Sequence, residues 1–201
     1  MHSVKKFLLA AGIFASVSVY AQKNNVYVDS IKKYQQNYIN SHEVVANKKD
    51  KKYFHFFPVS SKYLVTCSFE KIMDSSGFTM TTSAKTLKHF YKYGRLDFMI
   101  AGKPCHLYVY QSKDLMTTAQ YRNYLFVPFT DATTGTESYG SGRYLEFYEK
   151  DIQNNTLILD FNKAYNPYCA YAAGFKCPIP PRENNLTIAI KAGEKNFGKS
   201  H

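Results

Sequence analysis

Apolar side chains at Tyr63, Val65, Cys67 and Phe69 alternate with Leu64, Thr66 and Ser68. A period of two is strand spacing, because successive side chains of an extended chain leave opposite faces. The same alternation returns in Leu96, Phe98 and Ile100, in Cys105, Leu107 and Val109, in Leu157, Leu159 and Phe161, and in Leu186, Ile188 and Ile190. Shorter strands are predicted at Phe78 to Thr82, Lys88 to Tyr93, Tyr124 to Phe129 and Arg143 to Tyr148. Turn residues separate these runs at Tyr93-Gly94, Gly102-Lys103-Pro104, Thr134-Gly135 and Asp151 to Asn155. No helical period of ten or more residues lies between consecutive strands, which argues against βαβ units and a parallel sheet. Near the N-terminus the period changes: Ile31, Tyr34, Tyr38 and Val45 recur at helical spacing from Asp29 to about Val45, with Asp29 or Ser30 as N-cap. The expected fold is mainly β (α+β), a curved antiparallel sheet, barrel-like or sandwich, with one N-terminal amphipathic helix.

The first residues add a second expectation. A basic start through Lys6, the apolar run Phe7 to Val19 and the Val19-Tyr20-Ala21 site read as a secretory signal peptide over residues 1–21. The apolar run is about a dozen residues, short of the roughly 20 that span a hydrocarbon core, so no transmembrane segment is expected. Gln22 to Val28 reads as a linker, and residues 22–201 as a single β-rich domain. The expected location is periplasmic or extracellular, soluble after cleavage, where four cysteines at 67, 105, 169 and 177 are free to oxidise. The net charge of +11 falls to +9 without Lys5 and Lys6. The basic residues are scattered, with Lys48 to Lys52 as the only dense run, so specific nucleic-acid binding is not expected.

Five stretches stand out in the second half: Phe126 to Gly135, Ser138 to Tyr144, Leu159 to Tyr171, Cys177 to Asn184 and Ala192 to Lys195. They contain Phe129-Thr130-Asp131, Tyr139-Gly140-Ser141-Gly142-Arg143, Leu159-Asp160-Phe161-Asn162, Cys177-Pro178-Ile179-Pro180-Pro181 and Ala192-Gly193-Glu194 in that order. In this ordered set the chain resembles domain of unknown function family 1684 over about residues 63–195. The resemblance implies a shared domain and leaves the chemistry open.

Gly140-Ser141-Gly142-Arg143 offers either a backbone nest with an Arg fork for a carboxylate or phosphate, or a glycine-rich turn before a strand Arg paired to an acid. Asp160 and Asn162 leave one face of a strand end, where they either orient a polar ligand with Asp131 or Glu183 or cap the following turn. Cys169 and Cys177, eight apart in a Pro-rich loop, favour a local disulfide; neither the spacing of a zinc site nor that of a metal loop is present, and no cofactor is implied. A nucleophilic Cys169 needs a His base, for which His55, His89 and His106 are the candidates. No Gly-x-Ser-x-Gly elbow, His-Glu-x-x-His helix or phosphate loop occurs.

These readings favour an exported non-enzymatic module that binds a small polar or anionic ligand. Arg143 is expected to contact an acidic group, with Asp131, Asp160, Asn162, Glu183 and Asn184 around it and the Cys169–Cys177 loop as cover. The alternatives are an envelope-associated hydrolase using Asp160, Glu183 or Cys169, and a structural protein that binds a partner through an exposed aromatic patch.

Overall fold

The structure, a computed structural model, describes the backbone of residues 4–199, with side chains at Gln22 and from Asn24 onward. Helix α1 spans Val4–Ser41, and strands follow as β1 Leu64–Lys71, β2 Phe78–Thr81, β3 Leu87–Ile100 and β4 Lys103–Ser112. A single helical turn, α2 Lys113–Met116, leads to β5 Tyr124–Phe129, β6 Arg143–Tyr148 and β7 Thr156–Asp160. The strands form one antiparallel sheet, curled into a half-barrel, in the order β6-β5-β4-β3-β1-β7, with β2 paired to β3. The expected mainly β fold with one principal helix is therefore what forms, as a single curled sheet rather than a sandwich.

Period-two alternation places Leu107 and Val109 of β4 and Leu125 and Val127 of β5 on one face, all fully buried with Leu96, Leu145 and Leu157. Burial of each such side chain contributes roughly 1.5–3 kcal/mol. The opposite face of the same strands carries Tyr110, Phe126 and Tyr144, packed with Met80 and Phe90 as a second cluster.

Phe90 and Leu96 differ by an even number of positions yet serve different clusters. The register of β3 on β4 slips between Lys92 and Gly94, and one extra residue reverses which side chains point to which face. The expected turn at Tyr93-Gly94 is thus a bulge inside one long strand. Gly94 is needed there because a Cβ would run into the Phe69 ring.

Two other expectations change. The predicted linker, Gln22 to Val28, lies within α1, where no Gly or Pro stops a helix from propagating. Asp29 and Ser30 are consequently interior, and the Ser30 hydroxyl donates to the Tyr27 carbonyl instead of capping. Val45 lies beyond the helix and is buried against Phe54 and Tyr171. The expected leader, residues 1–21, falls on residues whose side chains lie outside those described. Among the described residues no helix is long and apolar enough to cross a membrane.

Leu186, Ile188 and Ile190 form no strand. Leu186 and Ile190 are buried as the alternation demands, but the Ile190 carbonyl is taken by a side chain, Arg143, rather than by a neighbouring ladder.

Candidate functional site

The six residues expected to share one site occupy three separate places. Arg143, first residue of β6, is wholly buried, and its guanidinium lies 2.7 Å from Asp131, itself withdrawn from solvent. The same fork donates to the carbonyls of Ile190 (2.8 Å), Ala192 and Glu194 (3.1 Å). Burial pulls the Arg143 pKa down, and the Asp131 charge opposes that shift. The preceding glycines make a tight turn: Gly142, at φ +85°, donates to the Tyr139 carbonyl, and a Cβ there would meet the Phe129 carbonyl at 2.6 Å. This is the glycine turn followed by a paired strand Arg. It ties the C-terminal segment to the sheet, with both charged side chains closed off from solvent.

Asp160 and Asn162 do come together, but on each other. Asp160 Oδ1 accepts from the Asn162 amide and side chain, both at 3.0 Å, and from Tyr27 of α1 at 2.9 Å. Asn162 also donates to the Ser60 carbonyl and accepts from the Ser60 amide. The pair caps the turn after β7 and fastens α1 to it.

Glu183 and Asn184 sit at the seam between β4 and β5, whose ladder is limited to Tyr110 opposite Phe126. Asn184, fully buried, donates to the carbonyls of Tyr108 and Pro128 and accepts from the Tyr108 amide. It replaces strand-to-strand bonds that the seam lacks. Glu183 accepts from Tyr110 and, at 2.8 Å, from Lys92.

Asp160 also lines a groove of about 680 Å³ with Glu146 and Tyr165, and a further cleft, lined by none of the six residues, lies on the second face of the sheet. Its volume is about 570 Å³, within the range of small-molecule sites. Strands β5 and β6 supply Tyr124, Phe126, Tyr144 and Glu146, α1 supplies Tyr34 and Tyr38 with His42 just past its end, and the segment after β7 supplies Tyr165 and Tyr168. Periodicity places most of them: Tyr144 and Glu146 share one face of β6, while Tyr34 and Tyr38 lie on one side of α1 with the buried Ile31. Tyr124 and Tyr165 both donate to Glu146 Oε2 at 2.6 Å, which fixes the carboxylate among rings. Burial raises the pKa values of Tyr124 and Tyr144, and the negative charge of Glu146 adds to the rise at Tyr124.

Behind this wall lies Glu194, fully buried, whose carboxylate accepts from Tyr171 (2.7 Å), from the Asn166 amide (2.9 Å) and from Tyr38 (3.4 Å). Burial pushes its pKa up to about 7 against those donors. His42 packs edge-on against Tyr171 at 4.4 Å between ring centroids, and burial lowers its pKa to about 4.

Cys169 and Cys177 form a disulfide with Cα atoms 6.3 Å apart. The loop it closes walls the cleft with Tyr168, Phe175 and Pro178. A cystine has no thiolate, so Cys169 is not available as a nucleophile. Cys67 and Cys105 are free; burial raises both thiol pKa values, Cys67 to about 12. Among the described residues no three His, Cys, Asp or Glu side chains converge as metal ligands.

The tyrosine cleft is not legible in the sequence because its tyrosines alone come from four separate parts of the chain: α1, β5, β6 and the segment after β7. One local signal existed: Tyr144, Glu146 and Tyr148 put an acid between two tyrosines on a single strand face.

Comparison with curated proteins found no match. An uncharacterised protein of Haloarcula marismortui, solved in solution by NMR, is similar, with 28% identity and a TM-score of 0.62, covering 85% of this chain and 96% of that one. Residues 51–195, from before β1 to the Ala192-Gly193-Glu194 segment, match one family throughout, and the chain belongs to that family, described as Protein of unknown function (DUF1684).

Proposed function

We propose that the protein is an exported, non-enzymatic module that holds a small polar ligand in the tyrosine cleft. The observation that carries this reading is a cleft of about 570 Å³ whose ring walls hold the exposed Glu146 carboxylate through two tyrosine hydroxyls. Ring faces with a few oriented polar groups are the usual composition of a small-molecule site. The disulfide beside the cleft and the leader-like start at residues 1–21 support a periplasmic or extracellular setting. The polar residues first expected to hold the ligand then act as the frame: Asp131 with Arg143, Asp160 with Asn162, and Asn184 fix the segments around the cleft. The carboxylates of a hydrolase reading, Asp160 and Glu183, are each engaged by other side chains and stand at separate sites.

The test is an NMR titration of the protein with a library of small soluble compounds. Saturable shifts confined to Tyr124, Tyr144, Tyr165 and their neighbours, lost in Tyr165→Leu, are expected. If no compound at millimolar concentration perturbs those resonances, the reading fails.

A further inference from the structure

We infer that the ligand group seated at Glu146 is an organic ammonium ion; this rests on the tyrosine cleft being the binding site. Glu146 Oε2 is occupied by Tyr124 and Tyr165, whereas Oε1 accepts no hydrogen bond from the described residues. An ionised carboxylate is an acceptor only, so its partner must bring a donor or a positive charge. None of the ion pairs among the described residues involves Glu146 or Glu43, although both line the cleft. The two charges act on one place, since both raise the pKa of Tyr168, after its burial.

The rings around Glu146 stand as walls. Tyr144 is edge-on to Phe126, at 4.7 Å and 77°, and to Tyr165, at 5.9 Å and 89°. Mutually perpendicular rings present faces and edges to a shared space, and the negative face of a ring attracts a cation. The cleft does carry Lys88 and Lys176. Lys88 belongs to β3, three strands from β6 and hence about 14 Å across the sheet at the usual spacing. Lys176 lies on the disulfide loop beside Cys177. Lys163, whose Nζ stands 5.5 Å over the Tyr34 ring, flanks Glu146 from the neighbouring groove without pairing with it. The cleft side of Glu146 is thus ring-lined and carries Glu43, while the lysine at the β3 end suits the other end of a ligand.

A cation and a neutral hydroxyl compound are separated by two probes of one shape. We would titrate the full chain with 2-phenylethylamine, protonated at neutral pH, and with 2-phenylethanol, following the cleft resonances. The amine is expected to bind at least tenfold more tightly. Glu146→Gln should remove that difference, and Glu43→Gln, at an exposed position, should weaken the amine several-fold while leaving the alcohol unchanged. Equal binding of both probes overturns the ammonium assignment and leaves the cleft standing as a ligand site. Binding of neither also overturns it, while the cleft itself is refuted only if the wider library is silent too. Should Glu146→Gln fail to fold, an amine affinity unaltered by Glu43→Gln is the overturning result.

Discussion

Arg143 distinguishes a structural from a ligand-binding role most sharply. In Arg143→Met the Asp131 carboxylate stays buried without its counter-charge, and the carbonyls of Ile190, Ala192 and Glu194 lose their donor. Breaking a buried pair from one side costs about 3–5 kcal/mol, and unpaired buried carbonyls add to that, so a loss of about 5 kcal/mol is expected. With a slope near 2 kcal/mol per molar urea, the unfolding midpoint should fall by about 2.5 M. That is a large share of the 5–15 kcal/mol typical of a folded domain. Adding Asp131→Asn should restore part of the loss, since no uncompensated charge then remains. Equilibrium urea unfolding followed by tyrosine fluorescence measures both variants. A midpoint shift below about 0.5 M, accompanied by lost ligand affinity, would refute the structural role and return Arg143 to the ligand.

Two further outcomes follow from the wall of the cleft. Folded Glu194 keeps its proton up to about 7 while the unfolded chain loses it near 4.5, so its contribution to stability falls as pH rises through that window. Folded His42 stays neutral down to about 4 while the unfolded chain protonates near 6.5, so its contribution rises with pH over 4–6.5. The two slopes oppose each other: urea midpoints between pH 4.5 and 6.5 should climb with pH in Glu194→Gln, and a pH-independent Glu194→Gln would sink this assignment. Separately, closing an eight-residue loop stabilises by about 2.5 kcal/mol, so Cys169→Ser with Cys177→Ser should lower stability by that amount. Denaturation curves check it, and a loss under about 1 kcal/mol would mean that ring contacts such as Tyr168 on Phe175 already hold the loop.

Much of the sheet was written locally. Strands β5 and β6 occupy the predicted residues because alternation and turn residues agree there. Leu186 to Ile190 has the same alternation, yet its backbone makes only a short run of parallel bonds to Thr130 and Ala132, and beyond them the Ile190 carbonyl accepts from the Arg143 guanidinium. Tyr93-Gly94 predicts a turn rather than a bulge because glycine signals both, and the Phe69 ring that decides between them is supplied by another strand. The chosen polar residues were conspicuous because buried polar side chains need specific partners, and a partner is what each one found. The cleft stayed hidden because tyrosines are ordinary strand residues until the curl of the sheet turns four elements toward one space.

Tyr38 and Glu194 meet across 156 residues of sequence. Closing a loop of such length costs conformational entropy, so the α1 wall holds only while the chain between the two residues is ordered. A chain with its sheet formed but that contact open lacks one side of the cleft. A ligand held between α1 and β6 therefore binds the finished fold alone, and by mass action its presence would shift the population away from partly closed forms.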